Sequence, residues 1–92
     1  MKFDWDPQKD KNNVKKHALS FEEAATVFYD PLSASFHDPD HSKEDSRFIT
    51  IGYSSRNRLC VVVHTERENT LRIISARQAT VRERKRHEER TG

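Results

Sequence analysis

Five side chains of this chain have the types that scission of RNA demands: Arg47, His64, Glu66, Arg67 and Arg72. Breaking the phosphodiester without a metal takes a base for the 2′-hydroxyl proton, cations to stabilise the phosphorane, and an acid for the leaving oxygen. His64 or Glu66 fits the proton-transfer role. The guanidiniums of Arg47, Arg67 and Arg72 offer donor forks to phosphate oxygens. The plain alternative is an exposed strand-end ion network in which Glu66 pairs with these arginines, worth ~1 kcal/mol or less per pair.

These residues lie at the ends of three β-type segments, Arg47–Tyr53, Leu59–Arg67 and Leu71–Arg77, whose Val, Ile and Leu runs predict strands. Turn signals near Ser55-Arg56-Asn57 and at Glu68-Asn69 predict antiparallel hairpins, so the segments form a meander. That pairing gathers the five side chains at one end of the sheet. Side chains alternate across a strand, which puts His64 and Glu66 on a shared face. Arg72 joins them only if the loop has the right parity; a two-residue turn at Glu68-Asn69 places it with Thr65 and Arg67 instead.

Upstream, Phe3-Asp4-Trp5 reads as a short strand, and Asp6-Pro7 is a helix-start pair of an Asp N-cap and Pro at the first position. A lysine-rich, largely solvated helix is expected from about Pro7 to His17. Ser20-Phe21-Glu22-Glu23 has capping-box spacing and opens a second helix to about Tyr29, where Asp30-Pro31 stops it. Leu32 to Phe36 alternates as a strand, and the acidic stretch His37 to Ser46, with Pro39, reads as a surface loop. Thr80-Val81-Arg82-Glu83 repeats the capping box and predicts a charged helix to about Arg90. The expected order is β-α-α-β-β-β-β-α in a single small α+β domain over 1–92. Its antiparallel sheet carries two N-terminal helices packed on it and a short C-terminal helix.

A second basic zone begins at Arg77, roughly 16 Å along the strand from Arg72 at about 3.3 Å per residue, and continues into Arg82, Arg84, Lys85 and Arg86. Arg77, Arg82, Arg84 and Arg86 are candidates for RNA-backbone binding, against the reading of a solvated helix face. His37 and His41 stand among Asp38, Asp40, Glu44 and Asp45, but their spacing matches no metal motif, and no metal site is expected. His17 suits a helix C-terminus and Trp5 a core. With only two glycines in 92 residues there is no P-loop, dinucleotide fingerprint or nucleophile elbow.

Length allows one modest core. Only 33% of residues are hydrophobic against 35% charged, so the core must come from a few segments and a partner can add stability. The net charge of +2 hides an asymmetry: residues 1–46 hold 6 Lys and Arg against 10 Asp and Glu, and residues 47–92 hold 11 against 5. One face is therefore expected to meet a polyanion or an acidic protein. The lone Cys60 excludes an internal disulfide and fits a reducing, cytoplasmic location. No apolar signal core follows Met1, and no apolar run approaches the ~20 residues of a membrane span, so no membrane association is expected.

Taken in order, these segments resemble the BrnT toxins of bacterial type II toxin–antitoxin systems. The resemblance is carried by Phe3-Asp4-Trp5-Asp6, Lys16-His17, Ser20-Phe21-Glu22-Glu23-Ala24, Arg47-Phe48-Ile49-Thr50-Ile51-Gly52, Val62-Val63-His64-Thr65-Glu66-Arg67 and Arg72-Ile73-Ile74-Ser75-Ala76-Arg77. It implies a RelE-like ribonuclease fold that cleaves RNA without a cofactor and arrests translation. It also implies a BrnA-like antitoxin that silences the toxin, binds operator DNA itself, and with the toxin represses their operon. Arg47, His64, Glu66, Arg67, Arg72 and Arg77 lie in the matching segments.

Two other functions use the same residues. The basic sheet could be a binding module for nucleic acid or an acidic protein, or a structural subunit of a protein–DNA repressor. Cleavage that needs His64 or Glu66 depends on pH, whereas binding by arginine weakens mainly with salt.

Overall fold

The structure, a computed structural model, describes residues 1–39 and 47–91. Most of the acidic loop expected before Arg47, including His41, Asp40, Glu44 and Asp45, lies outside the described residues. The elements are β1 (Lys2–Asp4), α1 (Pro7–His17), α2 (Phe21–Ala25), a 3₁₀ turn (Thr26–Tyr29), β2 (Ala34–His37), β3 (Arg47–Tyr53), β4 (Leu59–Arg67), β5 (Thr70–Gln78) and α3 (Val81–Thr91).

Local chemistry explains the helix boundaries. The Asp6 carboxylate accepts from the Gln8 N–H to start α1, and Ala18 ends it in the left-handed region. Ser20 caps α2 through the Glu23 N–H. That helix was expected to run to Tyr29, but it tightens into the 3₁₀ turn after Ala25, where the Thr26 hydroxyl donates to the Glu23 carbonyl. Asp30 then accepts from the Leu32 N–H, and its carbonyl from the Ser33 N–H, which holds Leu32 and Ser33 in a turn and delays β2 to Ala34.

The strands form one five-stranded sheet in the order β1-β5-β4-β3-β2. The β2 to β5 meander is antiparallel as expected, but β1 pairs with β5 in parallel, so the sheet is mixed. The first strand reaches that edge because both helices pack back over the sheet and leave Phe3 beside Leu71 on the core side. Glu68 and Asn69 both have positive φ, at 47° and 67°, forming the two-residue hairpin turn whose twist suits the strands.

The main core lies between α2 and one face of the sheet. Leu19, Phe21, Ala24 and Val27 pack on Cys60, Val62, Leu71, Ile73 and Ala76. Each fully buried Leu, Ile, Val or Phe contributes ~1.5–3 kcal/mol. Gly52 is required on this face, since a Cβ there would sit 2.8 Å from Ser33 Cβ and 3.0 Å from Val27 Cγ1. Glu23, buried, accepts from the Ser54 hydroxyl and pairs with Arg58, tying α2 to the β3–β4 turn. A smaller cluster of Ile51, Leu59 and Val61, with Ala34, Ile49, Tyr53 and Ala79, lies on the other face, where α3 packs.

Candidate active site

The two-residue turn fixes which face each candidate takes. Thr65 pairs with Arg47 on one side and Arg72 on the other, so the two arginines flank it in a row, with Arg67 farther along the same face. Arg72 donates to Asp4 at 2.7 Å, both half-exposed, and Arg47 to the buried Asp38 at 3.2 Å. All five expected residues are at one end of the sheet. They do not share a face: His64 and Glu66 point to the helix side.

His64 is in the core, which corrects the expectation of an accessible acid–base group. It is 1% exposed, with Nε2 2.7 Å from Thr50 Oγ1, and Thr50 bonds on to Ser35 Oγ at 2.6 Å. Phe28 meets the ring edge-on at 4.8 Å and Phe48 stacks at 5.9 Å. Burial pushes its pKa down to about 4, so the imidazole is neutral near pH 7. Glu66 remains half-buried near the hairpin tip and has no ion-pair partner among the described residues.

Arg77, the start of the second basic zone, lies on the same face as the first. Five residues apart in a regular strand, Arg72 and Arg77 would point to opposite sides. Val63 pairs with Ser75 and His64 with Ile73, leaving Ile74 as a bulge, so Arg77 comes opposite Val61 on the face that holds Thr65 and Arg72. Between the rows of Thr65 and Val61 the distance is roughly 13 Å at ~3.3 Å per residue.

At Arg77 the face deepens into a cleft of ≈ 290 Å³ under α3. Arg77 grips Glu83 with two bonds of 2.8 and 2.9 Å, and Thr80 and Glu83 complete a reciprocal capping box. Arg77, first, and the Thr80 N–H hold the Glu83 carboxylate down at about 2. Arg86, His87 and Arg90 follow Glu83 along one helix face and line the cleft over Ile49, Ile51, Val61 and Phe36. Arg82 and Arg84 do not line it; both are exposed.

His87 escaped the sequence reading. It is 3% exposed, Tyr53 is 6.0 Å from its ring, and neither ring nitrogen has a hydrogen-bond partner. The signal was the i, i+3, i+4, i+7 stripe Glu83, Arg86, His87, Arg90, hidden in a run of charges. The sole aliphatic residue of α3, Val81, is 79% exposed. His37 is exposed against Phe48; of its expected neighbours, Asp38 is buried and paired with Arg47, and His41, Asp40, Glu44 and Asp45 lie outside the described residues.

A family model described as ribonuclease toxin, BrnT, of type II toxin–antitoxin system matches residues 5–83. The chain belongs to the BrnT family. It is thus a ribonuclease toxin of a type II toxin–antitoxin system, and such a toxin has an antitoxin partner. Among solved structures it is similar to a crystal structure of the Brucella abortus ribonuclease toxin, BrnT. The TM-score is 0.69 at 24% identity, over 87% of this chain and 97% of that one, a likeness of fold. No curated protein matches. The BrnT family match takes in the arginine row, the bulge and the Arg77–Glu83 clamp, and stops short of Arg86, His87 and Arg90. Among the described residues no helix is long and apolar enough to cross a membrane.

Proposed function

We propose that this BrnT-family toxin is a RelE-like endoribonuclease that cleaves RNA without a cofactor, on the sheet face that carries Arg47, Arg67 and Arg72. The observation that carries the reading is the alignment of these arginines with Arg77 on one face through the two-residue turn and the Ile74 bulge. A face of guanidiniums tracks a phosphate backbone and stabilises charge on a phosphorane. Glu66 points to the other side of β4 from the arginines, one residue from Arg67 at the hairpin tip, so RNA on the arginine face bends over the Glu68-Asn69 turn to bring its 2′-hydroxyl to that carboxylate, which takes the proton. The 2′-oxygen then attacks phosphorus, and the 5′-oxygen leaves with a proton from water. His64 is a positioning residue: its bond to Thr50 holds β3 and β4 in the register that sets Arg47 beside Thr65.

In the cell this chemistry arrests translation in the cytoplasm. A BrnA-like antitoxin neutralises it, and operator DNA is reached only through that antitoxin, in a complex that represses its own operon. Asymmetric charge supports both roles, since the arginine-rich half suits RNA and an acidic antitoxin segment alike.

The test is digestion of a defined single-stranded RNA in EDTA and in a translating extract, with product ends identified. Cleavage to 2′,3′-cyclic phosphate ends is expected, falling about a hundredfold in Glu66→Gln, the lower range for a general base. Arg72→Ala should weaken RNA binding and flatten its salt dependence. Undiminished cleavage by both variants would move the site away from this end of the sheet.

A further inference from the structure

The cleft under α3 carries a feature that the arginine row does not explain. A buried imidazole with neither nitrogen bonded is costly, because burial removes water without supplying a partner. His87 is such a group, and it lines a cleft rather than closed core.

Among the described residues, the charges around it are not balanced. Arg77 is neutralised by its two bonds to Glu83. Arg86 and Arg90, one helical turn apart, line the cleft and have no ion-pair partner among the described residues. Its floor is apolar, and Phe36, 45% exposed, offers a ring at the edge. Cations above an apolar, aromatic floor suit a molecule with a flat ring at one end and an anion at the other. An imidazole has two ring nitrogens that can hydrogen-bond, and a nucleotide can meet both through its phosphate oxygens, ribose hydroxyls and base edge. An acidic peptide also meets the arginines, and its backbone N–H and C=O the imidazole, but an acidic side chain brings no flat ring to Phe36.

We propose that the α3 cleft is a subsite for one RNA nucleotide, its base against Phe36 and Ile49, its phosphate on Arg86 and Arg90, and His87 hydrogen-bonded to it. The proposal rests on the ribonuclease reading and extends it: RNA crossing the arginine row continues into the cleft on the same face. Arg86, His87 and Arg90 of the subsite lie beyond the family match, while its floor of Phe36 and Ile49 lies within it.

The test is NMR of the full chain, following the ring signal of His87 while each of the four nucleoside 3′-monophosphates is added, with inorganic phosphate and an acidic peptide as comparisons. A saturable shift of His87 by nucleotide is expected, with the His64 signal still. Affinity should fall about tenfold in Phe36→Ala, as for loss of base stacking, and by a similar factor in Arg90→Gln, which keeps the helix intact. An unmoved His87 signal, or equal response to inorganic phosphate or peptide, overturns the subsite. RNA cleavage with no nucleotide effect at His87 removes the subsite and leaves the ribonuclease reading; nucleotide binding without cleavage does the reverse.

Discussion

His64 and His87 are both buried imidazoles, on opposite faces of one sheet, and burial means different things for them. His64 is enclosed by Phe28 and Phe48 and bonded to Thr50, so it is part of the packing that joins β3 to β4. His87 lies on the inner side of the charged helix α3 at the edge of a cleft, with no bonded ring nitrogen. A residue type alone does not separate structure from function; the surroundings of its polar atoms do. The face under α1 and α2 holds the main core, and the face under α3 holds the smaller cluster and the cleft.

The comparison is sharpest where a side chain is deleted. His64→Ala removes a packed ring and the Thr50 bond together, and should cost ~3–4 kcal/mol by analogy with large-to-small core changes. In a domain of this size that lowers Tm by roughly 15 °C or more. Urea denaturation of the variant checks it, and a loss under 1 kcal/mol would mean that His64 is not core.

Acid probes the same residue without mutation. The folded pKa of about 4 lies below the unfolded value of about 6.5, so between these the unfolded chain takes up a proton that the folded chain refuses. Stability should therefore be full above pH 6.5, fall by about 2–3 kcal/mol as pH drops to 4, and level off for this group below that. Glu23 and Glu83, whose pKa values are lowered by Arg58 and Arg77, lose their contribution from about pH 4.5 downward, below most of that window. Urea midpoints from pH 7 to 4.5 should slope for the native chain and flatten in His64→Leu. A slope unchanged by the substitution would assign the effect elsewhere.

The same contrast explains what could be read from the sequence. Helix α1, the three long strands and the capping boxes are local chemistry, and each is where Asp6-Pro7, the β-branched runs and Thr80 to Glu83 put it. The turn at Glu68-Asn69 was legible as a choice of parity, and positive φ at both residues made the choice. The bulge was not: Ile73 and Ile74 are two ordinary strand residues, with no Gly or Pro to mark an insertion, yet the bulge decides the face of Arg77. Parallel pairing of β1 with β5 joins Phe3 to Leu71 across most of the chain, beyond any local signal. His64 looked chemical because it stood between apolar residues and charges; Thr50, which makes it structural, is fourteen positions away.

The smallest expected effect has the opposite sign. His87→Leu replaces a buried ring lacking hydrogen bonds with an apolar side chain of similar reach, over the apolar floor of Ile49, Ile51 and Val61. Removing an unsatisfied polar group is neutral or stabilising, because its desolvation is no longer uncompensated. The change should raise stability by ~0.5–1 kcal/mol, while His64→Leu lowers it through loss of the Thr50 bond. Paired urea melts of the two variants read the difference directly. Residues retained at the expense of stability are those that a ligand requires, as in other sites where function opposes the best packing. A loss of more than about 1 kcal/mol in His87→Leu would make His87 a second structural histidine and erase the distinction between the faces.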